Sequence, residues 1–206
     1  MIPATNPFST RHTRPGCIVP LDGHGLPIDV DGLLDRLRRV GGTAAIVGPH
    51  GSGKSTLLVK VADALEASGV RVMRVRLRTW RDVAGVVDAI KRTGRRGAVC
   101  VDSWECLSVV IRGLVRLAAL ARGCGLVVTT HHDGGMPVLA RCHTSRALLE
   151  SIVGRLPGRA HWYGTVIQSQ DIEAAFGRRR GDIREALYDL YDVFELRSRQ
   201  VVPQRS

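Results

Sequence analysis

The sequence predicts an α/β fold of three layers: a mostly parallel β-sheet flanked by helices, with a small helical lid at the C-terminal end. Three observations predict it. Short apolar runs bounded by glycine or polar residues recur at residues 44–47, 98–102 and 126–130. The segments between them carry apolar residues at three- and four-residue spacing. Residues 169–200 carry only the helical spacing. Buried strands that alternate with helices need crossover connections, and crossovers produce a parallel sheet.

The elements follow in order. Residues 1–28 are rich in Pro, Gly and Thr without periodicity, which predicts an irregular arm. Asp31 is the expected cap of a short helix that carries Leu33, Leu34 and Leu37, ends among Arg36, Arg38 and Arg39, and stops at Gly41 and Gly42. Residues 44–47 read as a buried strand. The next helix carries Leu57, Leu58, Val61, Ala62 and Leu65 and ends at Gly69. Met73, Val75 and Leu77 then alternate with Arg74, Arg76 and Arg78, so this strand has one wet, cationic face and suits a sheet edge. A helix is expected over 80–92, closed by Gly94.

Residues 98–102 form an apolar strand that ends on Asp102. Leu107, Val110, Ile111, Leu114, Leu117 and Ala121 give the strongest helical pattern in the chain. The strand at 126–130 ends on two threonines, and 131–137 reads as a loop. A helix follows at 144–154, then a last strand at 162–167. Ser169 is the expected cap of a short helix with Ile172, Ala175 and Phe176. Gly181 breaks it, and Asp182 with Glu185 forms a capping-box pattern for a final helix striped by Ile183, Leu187, Leu190, Tyr191 and Phe194. The chain past Arg197 reads as frayed. The resulting division is an arm and short helix at 1–42, a core at 43–168, a lid at 169–200 and a tail at 201–206.

A length of 206 residues suffices for one sizeable core and a small appendage. No apolar run reaches the roughly 18 residues of a membrane span, and the N-terminus lacks a signal-peptide pattern. Cys17, Cys100, Cys106, Cys124 and Cys142 are scattered, with no CxxC pair. That pattern fits reduced thiols and a cytoplasmic location. The net charge of +11 admits a nucleic-acid partner. All but three of the basic residues are Arg, however, a bias that coding composition alone produces.

One segment carries chemistry. Gly48, Pro49, His50, Gly51, Ser52, Gly53, Lys54, Ser55 and Thr56 contain the pattern GxxxxGK[ST] between an expected strand and an expected helix. Glycines there let backbone N–H groups turn around phosphate oxygens, and the helix N-terminus adds its positive end. Lys54 has the reach for β- and γ-phosphates, and the Ser55 hydroxyl suits Mg²⁺. Asp102 ends a strand at the sheet's carboxyl edge, where ligands of such folds bind, and its carboxylate suits the same metal ion. The expected ligand is a magnesium–nucleoside triphosphate. ATP is favoured because no NKxD-type guanine reader is present. His131, His132, Asp133, Cys142 and His143 are metal-ligand types, but their spacing matches no zinc pattern.

GPHGSGKST followed by AVCVD resembles the Walker A and Walker B elements of P-loop ATPases, over about residues 43–132. The Walker A wording and the later VVTTHHD are also similar to transporter-type ATPases. The LSGGQ-like signature of that family is missing, and Lys54 and Asp102 are too close in sequence for the subdomain that carries it. The compact spacing looks more like an AAA+ or STAND-type core. That resemblance implies a phosphate-sensing polar residue at Thr129 or Thr130, with Thr130 the one carried over. It implies a second sensor at Arg184, because Gly181 to Leu187 (GDIREAL) is similar to that lid segment. It also implies that the second strand lies at the sheet edge. The usual Glu after the Walker B Asp is replaced by Ser103, which leaves Glu105 and His131 as candidate catalytic groups beside Lys54.

Three functions stay open on the sequence: an ATPase acting as a switch or motor subunit, a small-molecule or nucleotide kinase, and an ATP-binding interaction module without turnover. A protein partner or homo-oligomer fits the first and the last.

Overall fold

The computed structural model describes residues 5–201. In chain order the elements are α1 (Thr10–Thr13), α2 (Val30–Arg39), β1 (Thr43–Val47), α3 (Lys54–Ala67), β2 (Val72–Arg76), α4 (Val83–Thr93), β3 (Ala98–Asp102), α5 (Val109–Ala121), β4 (Gly125–Thr130), β5 (Val138–Arg141), α6 (Arg146–Gly154), α7 (Arg159–Trp162), α8 (Ser169–Arg178) and α9 (Ile183–Val201). Single 3₁₀ turns at Trp80–Asp82 and Trp104–Cys106 precede α4 and α5. The described chain forms two compact units. One comprises Asp29–Gly48 and Lys54–Cys142; the other comprises residues 5–28, Pro49–Gly53 and residues 143–201.

The first unit is the α/β layer system. Its sheet has five strands in the order β2-β3-β4-β1-β5, every neighbouring pair parallel. Alternation along the strands sorts the side chains into two faces. Ala45, Val47, Val99, Val101, Leu126 and Val128 pack with Val86, Ala89 and Ile90 of α4 and with Val115 and Ala119 of α5. On the other side α3 packs against β1, β2, β3 and β4, with α2 against α3. Strands buried on both faces read as continuous apolar runs, which is why β1, β3 and β4 were legible. β2 lies at the edge, as its cationic alternation implies. Arg74 on that strand reaches Asp63 and Glu66 of α3 at 2.9 and 2.6 Å.

The second unit is built around one apolar cluster. Trp162, fully buried, meets Phe8 edge-on at 5.2 Å and Phe194 at 6.1 Å, among Leu149, Val153, Ile172, Leu187 and Leu190. Its indole N–H donates to the Pro157 carbonyl at 2.9 Å, so the buried ring leaves no polar atom unsatisfied.

Several expectations differ from the structure. Asp29, not Asp31, caps α2, accepting from the Gly32 N–H at 3.0 Å; Asp31 already stands in the first turn. Residues 138–141 form β5, an edge strand too short and too polar at its end for its pattern to register. Residues 162–167 are no strand: α7 ends at Trp162, and one bridge joins Tyr163 to Ile167. The apolar residues there serve the second unit's core instead. The described part of the N-terminal arm is ordered, because Phe8 is buried and Asn6 donates to the Tyr191 carbonyl and to Glu195, both at 3.0 Å. Gln168, not Ser169, caps α8, in a reciprocal box with Asp171. The last helix continues past Arg197 to Val201; residues 202–206 lie outside the described chain.

Candidate functional site

The parallel sheet aligns the ends of β1, β3 and β4 at one edge. Val47 lies opposite Thr130, and Val101 opposite Val128, so Asp102 and Thr129 are register neighbours. Strand parity then puts both side chains on the same face. Thr129 Oγ1 donates to Asp102 Oδ1 at 2.7 Å and accepts from the Ser103 N–H at 2.9 Å. Ser103 adopts a left-handed conformation, φ 67°, which turns the chain sharply after the strand. A non-glycine residue in that region costs about 1 kcal/mol, and the bond to Thr129 offsets part of it.

Ser55, in the first turn of α3, donates its hydroxyl to Asp102, with Oγ 2.9 and 3.0 Å from the two carboxylate oxygens. Arg76 Nε lies 3.7 Å from the same carboxylate. Lys54 is buried, and its ammonium donates to the Gly48 carbonyl at 2.8 Å. Two oxygen donors of hard character, a hydroxyl and a carboxylate, thus meet beside the first turn of a helix. This donor set fits Mg²⁺.

Glu105 stands on the 3₁₀ turn after β3, and His131 follows β4 directly. Glu105 Oε1 is 3.0 Å from His131 Nε2, and His131 Nδ1 is 3.1 Å from the Gly48 carbonyl. The acid and the imidazole thus stand as a close pair at the ends of β3 and β4. The other oxygen, Glu105 Oε2, is buried and has no hydrogen-bond partner among the described residues. The first unit accordingly brings together Gly48, Lys54, Ser55, Asp102, Glu105, Thr129 and His131. Thr130, carried over from the resemblance, is buried at the end of β4. Its neighbour Thr129 is the one bonded to Asp102.

Cys142, singled out in the sequence as a metal-ligand type, has a packing role in the structure. Its N–H donates to the Val47 carbonyl at 2.7 Å, at the mouth of the phosphate-loop motif. Burial pushes its thiol up to about 11, while the positive charge of Lys54 pulls the other way. The thiol stays protonated at neutral pH and acts as packing. Among the described residues no cluster of three or more His, Cys, Asp or Glu forms a metal site.

Pro49 to Gly53 belong to the second unit. Ser52 is buried and its hydroxyl donates to the Pro49 carbonyl at 2.8 Å, closing the turn. Gly51 and Gly53 have φ of 69° and 85°. Gly51 passes so close to the start of α9 that a Cβ there would stand 2.1 Å from Asp182 Oδ1 and 2.9 Å from the Ile183 nitrogen. Asp182 caps α9 by accepting from the N–H groups of Arg184 and Glu185 at 3.0 and 3.1 Å. His50 and Pro49 are exposed and Thr56 is half-buried; Arg184 is exposed in the first turn of α9.

Neither a known protein family nor any curated protein matches this chain. Solved structures do match. Three structures of RuvB variants from Thermotoga maritima share the fold over 84% of this chain and 70% of theirs, at 16% sequence identity. Their TM-scores are 0.52, 0.51 and 0.52. Among the described residues no helix is long and apolar enough to cross a membrane. Five parallel strands with the second at the edge, helices on both faces, and this likeness give the chain the α/β fold that the RuvB structures share.

Proposed function

We propose that the protein binds magnesium–ATP at residues 48–56 and hydrolyses it as a nucleotide-dependent switch or motor subunit. The observation that carries this reading is the Ser55–Asp102 contact, with Oγ 2.9 and 3.0 Å from the carboxylate oxygens. It joins the hydroxyl that follows the loop lysine to the acid that ends β3, the pair a phosphate-bound cation needs.

Gly48 to Gly53 would present backbone N–H groups to the phosphates, and Lys54 would exchange its bond to the Gly48 carbonyl for the β- and γ-phosphates. Ser55 and Asp102 would hold Mg²⁺. The ion, when bound, neutralises phosphate charge and orients the oxygens. Thr129 keeps Asp102 oriented. Glu105 is the base of this proposal: its free oxygen Oε2 takes the proton of the attacking water, and His131 holds Oε1 in place. Arg184 is the proposed second phosphate sensor, supported by the similarity of Gly181 to Leu187 to that segment. The protein partner or homo-oligomer, and nucleic acid as an activator, belong to the same proposal.

A second reading, ATP binding without turnover, is supported by Ser103 in the place of the usual glutamate. One experiment separates the readings: phosphate release from purified protein, with and without DNA or RNA, and with Lys54→Ala as control. Release from ATP alone that Lys54→Ala abolishes supports the switch. Release only with an added acceptor molecule makes the protein a kinase. Tight ATP binding with no turnover under any condition leaves the binding module.

A further inference from the structure

The outward face of α5 is apolar throughout. Val109, Val110, Leu114, Leu117 and Leu120 are 79, 72, 62, 63 and 76% exposed. Gly113 and Ala121 complete the face, and both are exposed. No polar residue interrupts it. The helix packs on the sheet through its other side, by Val115 and Ala119. Val110, Leu114, Leu117 and Ala121 are among the residues whose spacing marks the segment as a helix, yet they face solvent. Five large aliphatic side chains on one helix face form a patch, not the scattered exposure found on any protein.

The occupant follows from shape and charge. The exposed residues recur at three- and four-residue spacing over three turns, a ridge that fits the groove of another helix. Arg112 and Arg116 border one margin and Arg122 closes the C-terminal end, while Val109–Ala121 holds no acidic residue. Arg112 also donates to the Glu105 carbonyl at 3.1 Å, which fixes its position on that margin. An antiparallel second copy of α5 would set one basic margin against the other, on a chain already at +11. A lipid surface favours basic residues on both margins and aromatic residues at the interface. This helix has a single basic margin and no aromatic residue.

We propose that α5 docks an amphipathic helix of an acidic protein partner, its leucine-type stripe on Val110, Leu114 and Leu117 and its carboxylates against Arg116 and Arg122.

The test uses the full chain and a designed three-heptad peptide with Leu at the a and d positions and Glu at e and g, beside a twin with Lys in place of Glu. Fluorescence anisotropy should show the Glu peptide binding in a salt-sensitive way and the Lys peptide not binding. Leu117→Asp should weaken binding by about tenfold or more. Arg116→Glu should weaken the Glu peptide and admit the Lys peptide. Both positions lie at the surface of α5, and an unchanged melting temperature verifies the fold. Equal binding of both peptides, binding of neither, or binding that Leu117→Asp leaves intact would overturn the proposal. So would two other results: co-sedimentation with phosphatidylglycerol vesicles that Leu117→Asp abolishes assigns the face to lipid, and an oligomer that Leu117→Asp dissolves assigns it to a second copy.

Discussion

Glu105 Oε1 lies 3.0 Å from His131 Nε2, and the other nitrogen of that imidazole lies 3.1 Å from the carbonyl of Gly48. An acid after β3 and a base after β4 are thereby tied to the first residue of the phosphate-loop motif. If Glu105 is the base, Glu105→Gln lowers ATP turnover by about 100-fold, the scale of general-base catalysis. His131→Ala lowers it by about tenfold, because the carboxylate loses its orienting partner. ATP affinity stays within about threefold in both. The check is single-turnover kinetics beside a binding titration; full turnover in Glu105→Gln removes the acid from the mechanism.

Ser55 reaches Asp102 only through its hydroxyl. Ser55→Ala is therefore expected to weaken ATP binding by about tenfold when Mg²⁺ is present, the loss of one charge-assisted contact. Binding in the presence of a chelator should not change. Calorimetric titration under the two conditions measures the difference. An equal loss in both would mean that the hydroxyl serves the loop's structure, not the cation.

Gly51 combines φ 69° with a close approach to Asp182. Gly51→Ala is expected to destabilise the fold by about 1–3 kcal/mol, through a strained backbone and a displaced helix cap. Asp182→Ala should cost about 1 kcal/mol as a lost cap. The double variant should cost less than the sum, because the obstructing carboxylate is gone. Urea unfolding of the four proteins decides this; strict additivity would separate the glycine's requirement from the cap.

Asp189 supports a pH prediction. Its carboxylate is held below the usual range chiefly by the hydrogen bonds from Arg179; burial, next in size, opposes this, and a hydrogen bond from Arg178 adds to the lowering. Arg178 Nε lies 3.2 Å and Arg179 Nε 2.9 Å from it. A carboxylate with a depressed folded value contributes stability that is complete above its unfolded value of about 3.9. That contribution is lost as the pH falls through the lower folded value. Water around the exposed arginines screens the pair, so the contribution is about 1 kcal/mol. Melting temperature measured from about pH 6 down to about pH 2 should fall less steeply in Asp189→Asn than in the parent. Parallel curves would mean the pair contributes nothing.

Much of the candidate site was legible because its residues announce themselves by spacing. The loop pattern before an amphipathic helix, and an acid at the end of an apolar strand, identified Lys54, Ser55 and Asp102 without coordinates. Thr129 was harder to separate from Thr130. Only the register, with Val101 opposite Val128, places Thr129 beside Asp102. Glu105 and His131 were both singled out, but their contact joins residues far apart in the chain, and no local pattern encodes it.

The fold divides the same way. Apolar runs and helical spacing by themselves determined the α/β class, four of the five strands and the edge position of β2, because burial on one or two faces leaves a periodic trace in the residues. Tertiary structure alone decided three other matters. It added β5, whose four residues gain their role only by pairing with β1. It drew Trp162, Val166 and Ile167 into the second unit's core, since an apolar residue does not specify which apolar surroundings receive it. It also turned the apolar stripe of α5 outward. Periodicity reports that a helix has an apolar side; which side meets the sheet depends on the packing of Val115 and Ala119, and that is settled only when the strands and helices assemble.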